Sequence, residues 1–310
     1  MIQSTEEYVQ QNVPLKNTCR ICGGHTGSAH TVREMMLGTR EEFLYWECAS
    51  CGCLSLINLP DNLGQYYPKA YYSFKTGSSK ALKRFRDAVY LSSFSFLVNW
   101  HPRTDLDVIR RVNLRKNMRL LDVGCGSGYL LGDLRALGYN ARGVDPHIEQ
   151  DVCDLFGTRV EKKTLAEVRD KFDVILFRHS LEHMSPDMLA LAGERLKDSG
   201  LCVVCIPLLG WAWKHYGCHW VQLDAPRHLF LHTQKSFAIL ANNSGFTIDQ
   251  VVYDSTDFQF WGSEAYLRDM PLSKGSKPTY LERFKMQRRA ALLNAQREGD
   301  TAQFYLRKLD

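Results

Sequence analysis

The feature that most constrains the fold is a glycine-rich turn at residues 120–130, which read Leu-Leu-Asp-Val-Gly-Cys-Gly-Ser-Gly-Tyr-Leu. An apolar, strand-like run leads into three glycines spaced by two, and a helical segment follows. Glycine permits a tight turn and close ligand approach, and it leaves amide N–H groups exposed where the helix begins. The dinucleotide-binding fingerprint requires glycine where this chain has Tyr129. The preceding acid, Asp122, suits a ligand with an ammonium group better than one with a pyrophosphate.

The pattern that follows the turn predicts a doubly wound α/β domain. From Met118 onward, short apolar runs alternate with helical stretches, which is typical of βαβ units. A basic helix is expected near 280–296. The second strand ends in Asp145-Pro146, and an acid at this place can bind both hydroxyls of a ribose. The predicted strands lie near 119–123, 141–144, 172–177, 201–206, 247–253 and 302–306.

In this order, the strand, turn, helix, strand and acid resemble the class I S-adenosylmethionine-dependent methyltransferases over roughly residues 118–246. The resemblance implies a Rossmann-like, seven-stranded methyltransferase sheet and S-adenosylmethionine as cofactor. It places the glycines along the methionine part, Asp122 at the amino end and Asp145 on the ribose. The segment 157–165 gives no clean match to the acid that meets adenine in this family. The candidate cofactor contacts are Asp122, Gly124, Cys125, Gly126, Ser127, Gly128, Asp145, Pro146, His179 and Tyr72.

A second mark of the family is Leu-Glu-His at 181–183, after the fourth strand. With His179 the same letters spell an inverted zinc-protease motif, but that motif needs both histidines on one helix, and His179 follows a strand. Enzymes that methylate nucleobase nitrogens carry Asn/Asp-Pro-Pro-aromatic at this strand end. The chain has Phe-Arg-His-Ser at 177–180 instead, which disfavours that chemistry.

Histidines near this strand end are the candidate catalytic residues. Methyl transfer from a sulfonium is an in-line displacement, so the acceptor must be aligned and its proton removed. Histidine suits proton removal near neutral pH. We expect His183 or His228 to be the base, with Asp224 as an orienting partner and His179 behind them. Each histidine could equally cap a helix or bond a core carbonyl.

The N-terminal part contains two cysteine knuckles, Cys19-x-x-Cys22 and Cys48-x-x-Cys51, each followed by glycine. Two such pairs can bring four thiolates into a tetrahedron around a structural Zn²⁺ ion. The sequence therefore predicts a zinc-binding ribbon. The spare residues of ligand type, any of which could replace a cysteine, are Cys53, His25 and His30.

The predicted organisation has three parts. A zinc-binding ribbon module covers 1–64, a tyrosine-rich joint with a helical segment covers 65–117, and the methyltransferase domain covers 118–310. In sugar methyltransferases that resemble this plan the joint can close over the cofactor, which implies a contact from Tyr72. Ten cysteines without an export signal indicate a reducing cytoplasm. No apolar stretch is long enough to span a bilayer.

Three functional hypotheses follow from these patterns. The first is methylation of a small, sugar-containing acceptor, at a hydroxyl or a carbon, because the run at 227–233 resembles methyltransferases of bacterial polysaccharide and glycolipid pathways. The second is an RNA methyltransferase that uses the ribbon as reader, but the net charge of +5 comes without dense basic blocks. The third is a catalytically silent scaffold, which the intact acids and glycines disfavour. The oligomeric state stays open.

Overall fold

The computed structural model describes residues 18–67, 87–91, 104–153, 157–274 and 278–309. Within these ranges the chain forms a small antiparallel sheet and a larger mixed sheet. The strands of the small sheet, in spatial order, are β1 (Thr26–Arg33), β2 (Glu42–Cys48), β3 (Leu54–Leu56) and β10 (Phe230–Leu231).

The larger sheet has a parallel centre and antiparallel edges. The central strand β4 lies between its neighbours β5 and β8, which follow it in the chain, so a topological switch point lies at its carboxyl end. In spatial order the strands are β11 (Phe246–Tyr253), β12 (Thr301–Lys308), β9 (Leu196–Pro207), β8 (Phe172–Arg178), β4 (Arg119–Val123), β5 (Asn140–Val144), β7 (Arg159–Glu161) and β6 (Val152–Cys153).

This sheet confirms the predicted α/β fold class, and all six predicted strands are present. The prediction missed β7 and β6, which have three and two residues and are too short to show a periodic pattern. The sheet therefore has eight strands in the described residues, one more than the expected seven, because β6 adds to the edge beyond β7.

Helices cover the sheet, and the basic helix expected near 280–296 is present as α7. It begins at a capping box in which the Glu282 carboxylate accepts a 2.8 Å hydrogen bond from the Thr279 N–H. Of the helical segment expected within 65–117, the structure describes helical residues at 87–90 and the helix α1. The helices are α1 (Thr104–Arg111), α2 (Tyr129–Ala136), α3 (Asp187–Arg195), α4 (Trp211–Tyr216), α5 (Gln234–Asn243), α6 (Phe258–Leu267) and α7 (Tyr280–Ala295).

The small sheet is joined to the larger one by a common core. β10 belongs to the C-terminal half of the chain, yet it pairs with β3 of the N-terminal region. The buried residues of the N-terminal region, such as Tyr45 and Leu54, belong to the same apolar cluster as Phe237 and Phe304 on one face of the large sheet. A second apolar cluster covers the opposite face. The division at residue 64 stays a prediction, and its two sides share a core.

In the described part of the chain, none of the helices combines the length and the apolar character needed to cross a bilayer.

Candidate active site

The glycine turn at the carboxyl end of β4 is held by an acid at the end of β5. One Asp145 oxygen accepts a 2.8 Å hydrogen bond from the Gly126 N–H, and the other accepts one of 2.8 Å from the His147 N–H. All three glycines of the turn have left-handed backbone, with φ of 70°, 56° and 76° at Gly124, Gly126 and Gly128. Asp145, which we expected at the ribose, therefore also orders the turn.

The turn fits closely against the loop that follows β8. A Cβ atom added at Gly124 would lie 2.6 Å from the Cβ of Ser180, so only glycine fits there. The Ser180 hydroxyl donates a 2.7 Å hydrogen bond to the Val123 carbonyl. The Leu-Glu-His segment consequently begins beside the glycine turn, in the crevice where open α/β sheets bind ligands.

His183 and His228 meet in this crevice, with ring centroids 4.7 Å apart and an interplanar angle of 68°. The Nδ1 atom of His183 lies 2.9 Å from the Arg227 carbonyl, and that of His228 lies 2.8 Å from the Gln222 carbonyl. A carbonyl only accepts hydrogen bonds, so both rings carry the proton on Nδ1. In the neutral rings Nε2 is then the basic nitrogen.

Glu182 supplies a negative charge beneath the histidine pair. Its side chain is buried, and its Oε1 lies 3.7 Å from His179 Nδ1 and 3.9 Å from His228 Nε2. Burial alone would raise the pKa of Glu182, but the neighbouring histidines outweigh it and lower that pKa. Ligand-type atoms of Glu182, His183 and His228 lie within 4.8 Å of one another.

The histidines differ in basicity. Burial, helped by the neighbouring His183, lowers the pKa of His228 to about 4, so this ring stays neutral and is a poor base near pH 7. His179 is exposed, and although desolvation acts against its charged form, its contact with Glu182 outweighs this and raises the pKa of His179. His183 is partly exposed, and its ring packs against the buried His228. Of the two rings whose tautomer a carbonyl fixes, His183 is the accessible one.

Tyr67 connects the two strand ends. Its ring stacks on His147 at 5.6 Å with an interplanar angle of 3°, and its hydroxyl lies 3.1 Å from His183 Nδ1. Burial lowers the pKa of His147, which favours the neutral ring in this stack. The predicted contact from the joint, Tyr72, lies outside the described residues. Tyr67 belongs to the same tyrosine-rich run, which was the sequence signal for it, and the contact from Tyr72 stays a prediction.

Asp224, the expected orienting partner, is paired with Arg227 of the same loop. Arg227 is fully buried and donates hydrogen bonds of 2.9 and 2.5 Å to the two oxygens of Asp224. Asp224 Oδ2 lies 3.9 Å from His228 Nε2. The backbone is left-handed at His179 (φ 51°) and at Asp224 (φ 39°), and such strain is often found at functional sites.

The structure thus brings the four candidate catalytic residues together around Glu182, on the side of the turn that carries Ser180. Cys125 and Ser127 lie in the turn itself, and Pro146 follows Asp145 at the end of β5. Asp122 is buried within β4. The sequence reasoning missed Glu182, Tyr67 and His147. Glu182 lies inside the Leu-Glu-His motif, which was read only for its histidine.

The four cysteines of the two knuckles form a compact cluster of their own. Their sulfur atoms lie within 4.8 Å of one another, with 3.7 Å between Cys19 and Cys51 and 3.5 Å between Cys22 and Cys48. A zinc tetrahedron with bonds of ~2.3 Å has edges of about 3.8 Å, so the spacing fits. The hydrogen bond between Cys19 and Cys51 lowers the pKa of Cys19 to about 5 and raises the pKa of Cys51, so it favours one thiolate in this pair. All ten cysteines are free thiols.

Two of the residues that could replace a zinc-binding cysteine have other hydrogen-bond partners. His30 Nε2 lies 3.0 Å from a Glu47 oxygen, and the Cys53 thiol donates to the Leu54 carbonyl.

Comparison with known proteins identifies the central part of the chain. Residues 100–251 match the family described as a methyltransferase domain. An O-methyltransferase of ubiquinone biosynthesis from Azorhizobium caulinodans is 35% identical over 101 residues, which cover 29% of this chain and 40% of that protein. Its counterpart from Rhodopseudomonas palustris is 26% identical over 166 residues, covering 44% of this chain and 64% of that protein. The chain thus spans 40–64% of the length of these two relatives.

Among solved structures, a cyclopropane synthase from Mycobacterium tuberculosis has 18% identity and a TM-score of 0.42, covering 66% of this chain and 83% of that one. The match at 100–251 confirms that the chain carries an enzyme domain of the S-adenosylmethionine-dependent methyltransferase kind.

Proposed function

We propose that this protein transfers a methyl group from S-adenosylmethionine to a hydroxyl group of a small molecule. The glycine turn would hold the methionine part of the cofactor, Asp122 its amino group and Asp145 its ribose. The turn supports this because all three of its glycines are left-handed and Gly124 has no room for a side chain beside Ser180. When bound there, S-adenosylmethionine supplies an electrophilic methyl group. The matching methyltransferase domain supports the same assignment.

The observation that carries the proposal is the histidine pair above Glu182, beside the turn. His183 Nε2 takes the proton of the acceptor hydroxyl as the methyl group is transferred. Its Nδ1–H keeps its hydrogen bond to the Arg227 carbonyl, which holds the ring in place. The buried charge of Glu182 stabilises the imidazolium that forms. His228 stays neutral and packs against His183, which limits the positions that the ring can adopt.

The acceptor class has two candidates. A sugar hydroxyl is supported by the resemblance of the run at 227–233 to methyltransferases of polysaccharide pathways. A hydroxyl of a quinone precursor is supported by the names of the curated relatives. Both place the methyl group on oxygen, which favours O-methylation over methylation of carbon. An RNA acceptor has less support, because Arg283 of α7 pairs with Asp257 and Arg289 lies over the Trp211 ring.

The cysteine cluster would hold a structural Zn²⁺ ion through Cys19, Cys22, Cys48 and Cys51. Four thiolates would leave such an ion no open position for chemistry, so its role would be to stabilise the fold of the N-terminal region.

The proposed function is tested by a His183→Ala variant, with His215→Ala as a matched control. His215 is exposed and stacks on Trp211. Calorimetry measures S-adenosylhomocysteine binding, and mass spectrometry measures methylated product from nucleotide sugars and hydroxylated quinone precursors. We expect His183→Ala to bind the cofactor product normally and to lose ~10²- to 10⁴-fold in rate. His215→Ala keeps both properties.

The product identifies the acceptor class. A folded wild-type protein that does not bind S-adenosylhomocysteine contradicts the proposed cofactor. Undiminished methyl transfer by His183→Ala removes this histidine as the base.

A further inference from the structure

A carboxylate of the N-terminal region is buried at the seam with the catalytic domain. Glu34 follows β1 and is fully buried. Its oxygens accept hydrogen bonds from the backbone N–H groups of Leu37, Gly38 and Thr39, at 2.8, 2.9 and 3.1 Å. These bonds wrap a tight loop around the carboxylate. A buried charge is costly unless it is compensated, so Glu34 requires a cation.

The cation comes from the segment that carries His228. The Arg227 Nη2 atom lies 3.0 Å from Glu34 Oε1, and both side chains have no measurable exposure. Arg227 also binds both oxygens of Asp224, and its Nη1 donates a 3.2 Å hydrogen bond to the Tyr66 carbonyl. Every nitrogen of the guanidinium therefore has a partner, and two of the three partner residues, Glu34 and Tyr66, precede the predicted methyltransferase domain.

The backbone of the same segment positions the imidazoles. The Arg227 carbonyl accepts the hydrogen bond from His183 Nδ1. The next carbonyl, that of His228, accepts a 2.8 Å hydrogen bond from the hydroxyl of Tyr45, a fully buried residue of β2. The N-terminal region thus holds both the side chain and the backbone of the segment that fixes the His183 tautomer.

From these contacts we infer that Glu34 is a positioning residue for the histidine pair, acting through Arg227 on the segment 224–228. The inference rests on the proposed function, because it assigns a purpose to the residues that hold the proposed base. Arg227 is thereby assigned to positioning, and its guanidinium is unavailable to an anionic substrate. The N-terminal region, in addition to binding metal, completes the active site.

The test replaces Glu34 with Gln. In one orientation of the new amide its NH₂ group faces the donors of Arg227 and Leu37. In the other orientation it faces the N–H groups of Gly38 and Thr39, so a donor meets donors in either case. The matched control is Glu47→Gln, which removes a carboxylate of the same region that pairs with His30 and not with Arg227. A merely structural role would lower stability without changing the histidine tautomers, so the tautomer is the deciding readout.

The measurement is nitrogen-15 NMR of labelled histidines in the full chain at about pH 8, above the ordinary histidine pKa. His183→Gln and His228→Gln variants assign the resonances. In wild type and Glu47→Gln we expect both rings as the Nδ1–H tautomer. In Glu34→Gln we expect the ratio of Nδ1–H to Nε2–H tautomer at His183 to fall about tenfold, as expected for loss of a typical buried hydrogen bond.

A folded Glu34→Gln protein with an unchanged His183 tautomer overturns the inference. If Glu34→Gln does not fold, Tyr45→Phe decides, because it removes one hydrogen bond on the His228 carbonyl and no charge. An unchanged tautomer ratio at both histidines in Tyr45→Phe then overturns the inference, and a fall at either supports it. S-adenosylhomocysteine binding is measured in parallel. Absence of binding in wild type contradicts the proposed function, while the tautomers still decide the positioning role.

Discussion

Asp145 accepts a 2.8 Å hydrogen bond from the backbone N–H of Gly126, which ties the end of β5 to the glycine turn. The other oxygen of this carboxylate accepts a hydrogen bond from the His147 N–H. One side chain therefore orders both the glycine turn and the segment after β5, which together form the proposed cofactor site. An acid that was expected only to contact a ribose also builds the turn.

Removing this carboxylate is therefore expected to weaken cofactor binding by two routes. We predict that Asp145→Ala lowers the affinity for S-adenosylhomocysteine by about 10- to 100-fold, since a lost buried hydrogen-bond acceptor costs about 1–3 kcal/mol. Calorimetric titration measures the affinity. The control is Asp249→Ala, at an ion pair on β11 with Arg307. Equal affinity of Asp145→Ala and wild type would contradict the prediction.

The contact between Gly124 and Ser180 predicts a steric effect that can be separated from backbone strain. Gly124→Ala adds a Cβ 2.6 Å from the Ser180 Cβ at φ 70°, whereas Gly245→Ala adds one at φ 77° with no atom within 4 Å. We expect Gly245→Ala to cost about 1–2 kcal/mol from backbone strain. Gly124→Ala should cost about 1–3 kcal/mol more, because of overpacking.

Urea denaturation gives both values. In the double variant Gly124→Ala/Ser180→Gly the clashing Cβ is absent, so part of the additional loss should be recovered. Equal stability of Gly124→Ala and Gly245→Ala would show that the contact with Ser180 adds no destabilisation.

Buried neutral histidines predict that the protein loses stability as the pH falls. Burial lowers the pKa of His232 to about 4, as it does for His228, while the ordinary value is 6.5. The unfolded chain therefore binds more protons between about pH 6.5 and 4, and stability decreases with falling pH in that window by ~1.4 kcal/mol per pH unit for each histidine. The raised pKa of His179 acts in the opposite direction, stabilising at low pH.

Unfolding free energies at several pH values in that window test this pH dependence. His232→Gln should lose part of the slope, and the exposed His215→Gln should keep it. Identical slopes for the two variants would show that His232 does not titrate as expected.

The cysteine cluster predicts one zinc ion per chain. We expect Cys51→Ser to lose bound zinc and to unfold at lower denaturant concentration, because binding energy at a structural zinc site is folding energy. Elemental analysis and urea denaturation measure the two effects. Cys153→Ser, at an exposed cysteine, is the control. A wild-type chain purified without metal, and no less stable after chelator treatment, would contradict the zinc assignment.

Local patterns in the sequence determined the fold class and the position of the site. The run from Leu120 to Leu130 specifies strand, turn and helix within eleven positions, and its glycines have conformations that other residues rarely adopt. The cysteine knuckles and the Leu-Glu-His motif are equally local. Such signals are readable because each residue is constrained by its immediate chain neighbours.

Only the tertiary structure decided what surrounds the histidines. Glu34 and Arg227 are 193 positions apart, and Tyr67 and His183 are 116 apart. No periodicity or spacing relates such residues. The sequence named Asp224 and His228 of the loop at 224–228 as candidates, but it gave no sign that Arg227 between them is fully buried. A buried charge is stabilised by partners that folding assembles from distant parts of the chain. In this protein the pairing of β10 with β3 joins those distant parts, so the burial of Arg227 can be seen only in the tertiary structure.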